Sequence, residues 1–373
     1  MRWLGLGLAG LLAACGGDDD ASSNEAASSG AAQTGSASSS GQGSSSSGGT
    51  SSSTTAAADS SSATGSAAGC AASPEALADC VDIDAYQADL EFIASLRVPG
   101  STHWQAVQDL CADRLTELGF TVDLFDYGTG VNVLGTLPGS DPDAPHIIVG
   151  AHYDHIEECT GADDNATGVA GSLEAARVLA MGQYANTLTI ACWDEEERGL
   201  LGSEAFAMSA ASQGIDIGVY FNFEMIGYAS DEPDTQRLPT GFDLVFPEEI
   251  AMIEANDNRG DFLFLTGDPG SADAVANIQA QGERVDLPVV ALVLNEQQVK
   301  NPLFGDLRRS DHAPFWDQGF PAIFITDTGE FRNDRYHCMG GEDSVDSLVP
   351  TFSEKVLQVT VASAAIALGL AGG

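Results

Sequence analysis

Three apolar runs constrain this chain more than any other feature. His146–Ala151 and Thr187–Trp193 read as continuous strands buried on both faces, and Val219–Phe223 reads as a third. Each runs directly into residues that ligate metals or move protons: His152 after the first, Glu196 after the second, Glu224 after the third. Helical patterns lie between them, at Asp164–Met181 and Leu200–Ala211. Strand–helix alternation predicts an α/β fold, a central mostly parallel mixed β-sheet flanked by helices on both faces. In such sheets ligands gather at the carboxyl ends of the strands, so the three polar ends are expected to converge.

The rest of the folded part follows the same reading. Ile83–Leu96 and Trp104–Leu118 carry apolar residues at spacings of three and four, and Gly119 closes the second helix. Thr121–Tyr127 and Val131–Leu137 are strand-like. Glu248–Ala255 and Ala272–Gln281 look helical, Val289–Leu294 and Ala322–Ile325 are further strands, and Glu354–Leu368 is a closing helix. Residues 70–373 are enough for one such domain with a full core.

The first 69 residues have no place in that core. Arg2 followed by the apolar run Trp3–Ala14 has the form of a secretory leader, too short to span a bilayer. Leu12-Ala13-Ala14-Cys15 looks like a bacterial lipobox, which makes residues 1–15 a lipoprotein signal peptide with Cys15 as its lipid-bearing residue. Gly16–Gly69 contains no aromatic, Leu, Ile or Val and cannot offset the entropy of ordering. It is expected to be a disordered tether spanning roughly 40 Å. The expected location is the cell envelope, outer membrane or cell surface, with the lipid on Cys15 as the membrane contact.

The formal net charge of −41 over 373 residues is carried mainly by the domain, not the tether. Such a surface repels phosphates and excludes nucleic acid as a partner. Acids such as Asp231, Glu232 and Asp234 lack the spacing of a calcium loop. Seven cysteines leave six once Cys15 is set aside, an even number in an exported chain. Two of Cys70, Cys80 and Cys111 are expected to pair, and Cys192 reads as a buried thiol.

Five pieces then fall in one order: A-H-Y-D-H at Ala151–His155, G-A-D-D-N-A-T-G at Gly161–Gly168, W-D-E-E-E-R-G-L-L-G-S at Trp193–Ser203, N-F-E-M-I-G at Asn222–Gly227 and R-Y-H at Arg335–His337. Together they resemble the M28 family of zinc exopeptidases, whose best-known members are aminopeptidases with two co-catalytic zinc ions. The resemblance spans roughly residues 151–346 and implies the zinc-dependent exopeptidase fold as a single catalytic domain. It implies two Zn²⁺ ions and a peptide substrate cut at its amino end. The oligomeric state has no marker in the sequence. Carboxypeptidase, dipeptidase and glutaminyl cyclase activities within the same fold are the alternatives, and a surface binding module that has lost activity is a third.

The resemblance implies a role for each residue. His152 and Glu224 hold one ion, Glu197 and His337 the other, and Asp163 bridges them as the first acid of the G-A-D-D-N pattern. The family commonly has a cis peptide after that bridging acid. Asp164 and Asn165 would then cap the following helix. Asp154, two residues beyond His152 on an extended segment, would orient its imidazole. Counting back from Gly199, Leu200, Gly202 and Ser203 makes Glu196 the general base and Glu197 the ligand, with a one-residue slip along Glu195–Glu197 as the alternative. Glu195 would be an exposed acid. Glu224 stands where most members have Asp. Tyr336 would hydrogen-bond the developing oxyanion, and a Cys159–Cys338 bridge would brace the rim. His312, within Ser310–Phe315, reads as structural or substrate-side, while His155 is given no role. Phe242, Phe246 and Phe264 are pocket-wall candidates by composition alone.

Overall fold

The structure is a computed structural model, and residues 69–371 are described. The expected leader, its Cys15 and the tether up to residue 68 lie outside the described residues.

Eight strands form one sheet: β1 (Thr121–Asp126), β2 (Val131–Leu137), β3 (His146–His152), β4 (Thr187–Trp193), β5 (Ile217–Phe223), β6 (Leu263–Gly267), β7 (Val289–Val293) and β8 (Ala322–Thr326). Their order is β1-β2-β4-β3-β5-β8-β6-β7. The central β4-β3-β5-β8 block is parallel, β6 and β7 are parallel to each other, and antiparallel pairs join β1 to β2, β2 to β4 and β6 to β8. Alternation along β3 and β4 separates two cores. Ile147, Val149, Leu188, Ile190 and Cys192 face the layer built from helices Ile83–Ile93, Thr102–Glu117, Gly168–Leu179, Ala272–Val285 and Pro350–Ala367. Ile148, Ala191 and Trp193 face the layer that includes Leu201–Gln213 and His312–Gln318. There Trp193, Tyr220 and Phe315 pack with ring centroids 4.6–5.9 Å apart. Truncating Trp193 to alanine would cost about 3–5 kcal/mol on the general scale for buried aromatics.

The sequence reading differs from the structure in two useful places. Strand β6 is absent from it, because F-L-F-L-T is a short run with no period of its own, and only pairing with β7 and β8 makes it a strand. The helix expected from Asp164 starts at Gly168 instead. Asp164 (φ −102°, ψ 99°) and Asn165 (φ −127°, ψ 41°) are non-helical because their side chains are drawn into the site. The helix from Pro350 is buried along most of its length, as its apolar composition requires. Disulfides join Cys70 to Cys80 and Cys159 to Cys338, while Cys111 and Cys192 are buried free thiols.

Candidate metal centre

Strand β3 ends at His152, whose ring is fully buried. Its Nδ1 lies 3.2 Å from the Asp154 carbonyl and 3.4 Å from the Asp154 carboxylate. The carbonyl is therefore the nearer partner for the ring. The Asp154 carboxylate also accepts hydrogen bonds from the backbone N–H groups of Glu196 (3.0 Å) and Glu197 (3.3 Å). One carboxylate thus ties the end of β3 to the turn after β4. That turn is built by sequence: Gly199 has φ +108°, and Gly202 approaches so closely that a Cβ there would lie 2.4 Å from the Asp194 carbonyl. Helix Leu201–Gln213 can start at the strand end only because Gly202 has no side chain.

The other face of His152 meets acids. Its Nε2 is 3.3 Å from Asp164 Oδ1 and 3.4 Å from Glu224 Oε1. The second oxygen of Asp164 is 3.0 Å from His337 Nε2, which in turn is 3.3 Å from Glu197 Oε1. Asp164 therefore stands between the two histidines. This corrects the expectation for Asp163, whose carboxylate accepts from Asn333 Nδ2 (2.9 Å) and the Gly227 N–H (3.2 Å) and faces away from the histidines. The reason is the extended backbone after Asp163, which turns the second acid of the pair inward. The cis peptide lies between Asp164 and Asn165. Asn165 does cap, accepting from the Gly168 N–H at 3.1 Å, while its amide also reaches the Phe223 carbonyl (2.9 Å) and Glu224 Oε2 (3.3 Å).

The three glutamates are sorted by their partners. Glu195 is not an exposed acid: it is buried and held by Arg198 (2.7 Å) and the Tyr127 hydroxyl (3.2 Å). Glu196 joins His152 and Glu224 in a group whose ligand-type atoms lie within 4.8 Å of one another, and Glu197 joins His155 and Asp164 in a second such group. Glu224, at the end of β5, is positioned by the Ser310 hydroxyl at 2.6 Å, which itself accepts from Asn222 at 2.7 Å. His312 sits behind Ser310 and Asn222 with Nε2 on the Leu307 carbonyl (2.9 Å), so it is structural. Tyr336 stacks on His337 with centroids 3.9 Å apart, and its hydroxyl accepts from Arg309 at 3.0 Å.

Electrostatics follow from this crowding. Burial, reinforced by Glu224 and Asp311 against the pull of His152, raises the Glu196 carboxyl well above its usual value. Burial opposes charge on Asp164 as well, but the imidazoles of His152 and His337 close beside it carry its carboxyl well below the ordinary range. Burial likewise opposes a charged His152, yet Glu224 and Glu196 push it well above its usual value. Asp163, in a separate buried cluster with Asp327 and Asp343, is held well above the carboxylate range by burial and by those acids.

Two residues without assigned roles stand at the site. Arg97 is wholly buried and donates to the carbonyls of Ile93, Ser95, Tyr153, Thr160 and Gly161 at 2.8–3.1 Å, and to that of Asp164 at 3.3 Å. It clamps the segments carrying His152 and Asp164, and nothing in L-R-V-P-G signals that. His155 is buried with Nδ1 2.8 Å from Glu197 Oε1. A second histidine three residues after the first was its only sequence signal.

These groups fit divalent metal. Bonds of about 2.0–2.1 Å in a tetrahedron put ligand atoms roughly 3.3–3.4 Å apart, and the edges here are 3.0–3.4 Å. Asp164 Oδ1, Glu197 Oε1 and His337 Nε2 are buried without a hydrogen-bond partner, although Asp164 Oδ1 lies 3.3 Å from His152 Nε2 and Glu197 Oε1 lies 3.3 Å from His337 Nε2. Atoms that approach so closely yet are misaligned for hydrogen bonds are aimed at a common point between them. Beside Glu224 and Tyr336 opens an apolar pocket whose wall includes Met225, Phe242, Phe262, Phe264 and Phe324. Phe246 packs behind Phe242 instead, with centroids 5.5 Å apart.

Sheet, strand-end acids and paired histidines define a class, the α/β proteins that hold divalent metal at the carboxyl ends of a mixed sheet. The profile of peptidase family M28 matches residues 132–283. Over those residues the chain is similar to that family. It is 34% identical over 218 residues to the uncharacterized protein YfbL of Escherichia coli (strain K12), covering 55% of this chain and 62% of that protein. It is 26% identical over 258 residues to leucine aminopeptidase 1 of Sclerotinia sclerotiorum, covering 64% and 58%. The chain thus spans less than two thirds of these relatives. Among solved structures, the LapA aminopeptidase of Legionella pneumophila superposes with a TM-score of 0.61 at 20% identity, over 80% of this chain and 72% of that one. An aminopeptidase from Aneurinibacillus sp. strain AM-1 gives 0.57 at 15% identity, over 79% and 96%. These two likenesses establish the fold.

Proposed function

We propose that this protein is a metallo-aminopeptidase that removes amino-terminal residues from peptides and works with two zinc ions. One observation carries the reading: a His152–Glu224 pair and a Glu197–His337 pair converge on the shared, buried Asp164. His152, Asp164 and Glu224 would hold one ion, and Asp164, Glu197 and His337 the other. Zinc ions bound there would act as Lewis acids and lower the pKa of a water toward neutrality. Glu196, grouped with His152 and Glu224, would accept a proton from that water and return it to the leaving amine. The Tyr336 hydroxyl, accepting from Arg309, donates to the oxyanion as it develops. The apolar pocket beside Glu224 suits a large hydrophobic side chain at the cleaved end. Relatives bearing the name leucine aminopeptidase support the same preference. Two disulfides support an oxidising compartment and therefore export.

The test is hydrolysis of leucine-p-nitroanilide beside its N-acetyl counterpart. Release from the free amine alone, abolished by a chelator and restored by zinc, is the expected result. Cleavage of the blocked substrate at equal rate, or activity untouched by the chelator, would refute the proposal.

A further inference from the structure

The two halves of the site hold unequal numbers of donors once His155 is counted. His155 follows His152 by three residues, where the chain has left β3 and turned. Its backbone N–H is fixed on the Arg97 carbonyl at 3.2 Å. The residue is 1% exposed, and neither ring nitrogen makes a well-aligned hydrogen bond. An imidazole buried without a partner costs free energy unless something else satisfies it. Nδ1 lies 2.8 Å from Glu197 Oε1, itself an orphaned buried atom, and the ring packs edge-on against His337 with centroids 5.6 Å apart. A ligand-type atom of His155 is within 4.8 Å of one on Asp164 and one on Glu197. The atoms that lack partners around His155 are thus the atoms aimed at the second metal position.

We propose that His155 is an additional ligand of the ion held by Asp164, Glu197 and His337. This rests on the two-metal reading above. That ion would then have four protein donors, two imidazoles and two carboxylates, the closed set of a retained structural site. The His152 ion, with His152, Glu224 and the shared Asp164, keeps three donors and an open position, the arrangement of a catalytic site. The consequence is a division of labour: one ion stays and the other exchanges and meets the substrate.

The test reads metal, not turnover. The folded domain, stripped of metal, is titrated with cobalt(II) and followed by visible absorption, and its zinc content is measured across a chelator series. Wild type is expected to hold two ions, with one released only at a chelator concentration at least about tenfold higher. His155→Ala and His155→Gln should both bring the retained ion down at least about tenfold and change its cobalt absorption. Glutamine can still donate to Glu197 but is a poor zinc ligand. A His155→Gln protein with wild-type retention and spectrum would therefore overturn the proposal and leave His155 a positioning residue. X-ray absorption on unmutated zinc protein gives a count independent of folding in the variants. Three imidazoles over two ions supports the proposal, and two overturns it. Failure to bind two ions at all would sink the two-metal reading beneath it, a separate result from two ions with two imidazoles.

Discussion

The two halves of the metal centre are held by different kinds of structure. His152 and Glu224 stand at the ends of adjacent parallel strands, with side chains 0% and 5% exposed, and the sheet itself fixes their spacing. Glu197 and His337 come from short turns, with side chains 11% and 26% exposed, and His337 adopts φ +52°. The sheet half is placed by the fold, with Ser310 and Asn222 steadying Glu224. The turn half needs braces: Asp154 under the Glu196 and Glu197 amides, Arg97 behind Asp164, and the Cys159–Cys338 bond next to His337. A strand end is a cheap place to be exact in position, and a turn is not.

The residue that joins the halves offers the largest effect. Asp164→Asn is expected to lose both ions and essentially all turnover, whereas Asp163→Asn, acting from behind, should weaken metal binding by only about 10–100-fold. Zinc content of the two purified proteins decides it, and equal loss would show that the halves do not share Asp164 as the geometry indicates. Next comes Glu196→Gln, which should keep both ions and lower kcat roughly 10²–10⁴-fold. Wild-type turnover in that protein would place the base elsewhere.

A smaller change separates the halves directly. Replacing Cys159 and Cys338 by serine removes a link closing 179 residues. It should lower stability by about 2–5 kcal/mol and weaken retention of one ion, while the sheet-held ion keeps its affinity. Thermal melts with zinc analysis read both. Equal weakening of the two ions would break the distinction between a sheet-held and a turn-held half.

The same distinction explains what could be read in the sequence. Residues at strand ends were legible, because an apolar run names the strand and the next polar residue names the position: His152 and Glu224 both followed that rule. Turn geometry was not. Whether Asp163 or Asp164 faces inward depends on two backbone angles that adjacent identical residues cannot reveal, so the expectation fell on the wrong acid. The count back from Gly199 and Gly202 points to Glu196 and Glu197, and these two glutamates, not Glu195, lie beside the histidines; Gly199 has a positive φ and Gly202 marks a close approach. His155 and Arg97 act across the fold, His155 toward Glu197 and Arg97 on carbonyls up to 67 residues away, so no local pattern exists to find them. Strand β6 was missed for a related reason, since pairing rather than composition makes it.

The smallest expected effect tests the support behind the sheet half. His312 is wholly buried between Trp316 and Phe324, and burial lowers its pKa from 6.5 to about 3. Above pH 6.5 the ring is neutral in folded and unfolded chains alike. Between 6.5 and about 3 only the unfolded chain binds the proton, so unfolding gains as pH falls, by up to about 1.4 kcal/mol per pH unit. From pH 6.5 to 5 the loss from this one group is about 2 kcal/mol. His312→Gln would be less stable at pH 7, because the ring packing goes, but its stability should fall less steeply over that interval. Buried acids such as Glu196 and Asp163, whose carboxyls are raised, pull in the opposite direction in both proteins and cancel in the comparison of slopes. Chemical denaturation of the metal-free domains at several pH values measures the difference. Parallel slopes would mean that His312 can take up a proton inside the fold. The Ser310–Asn222 support under Glu224 would then be looser than the turn half it is being compared with.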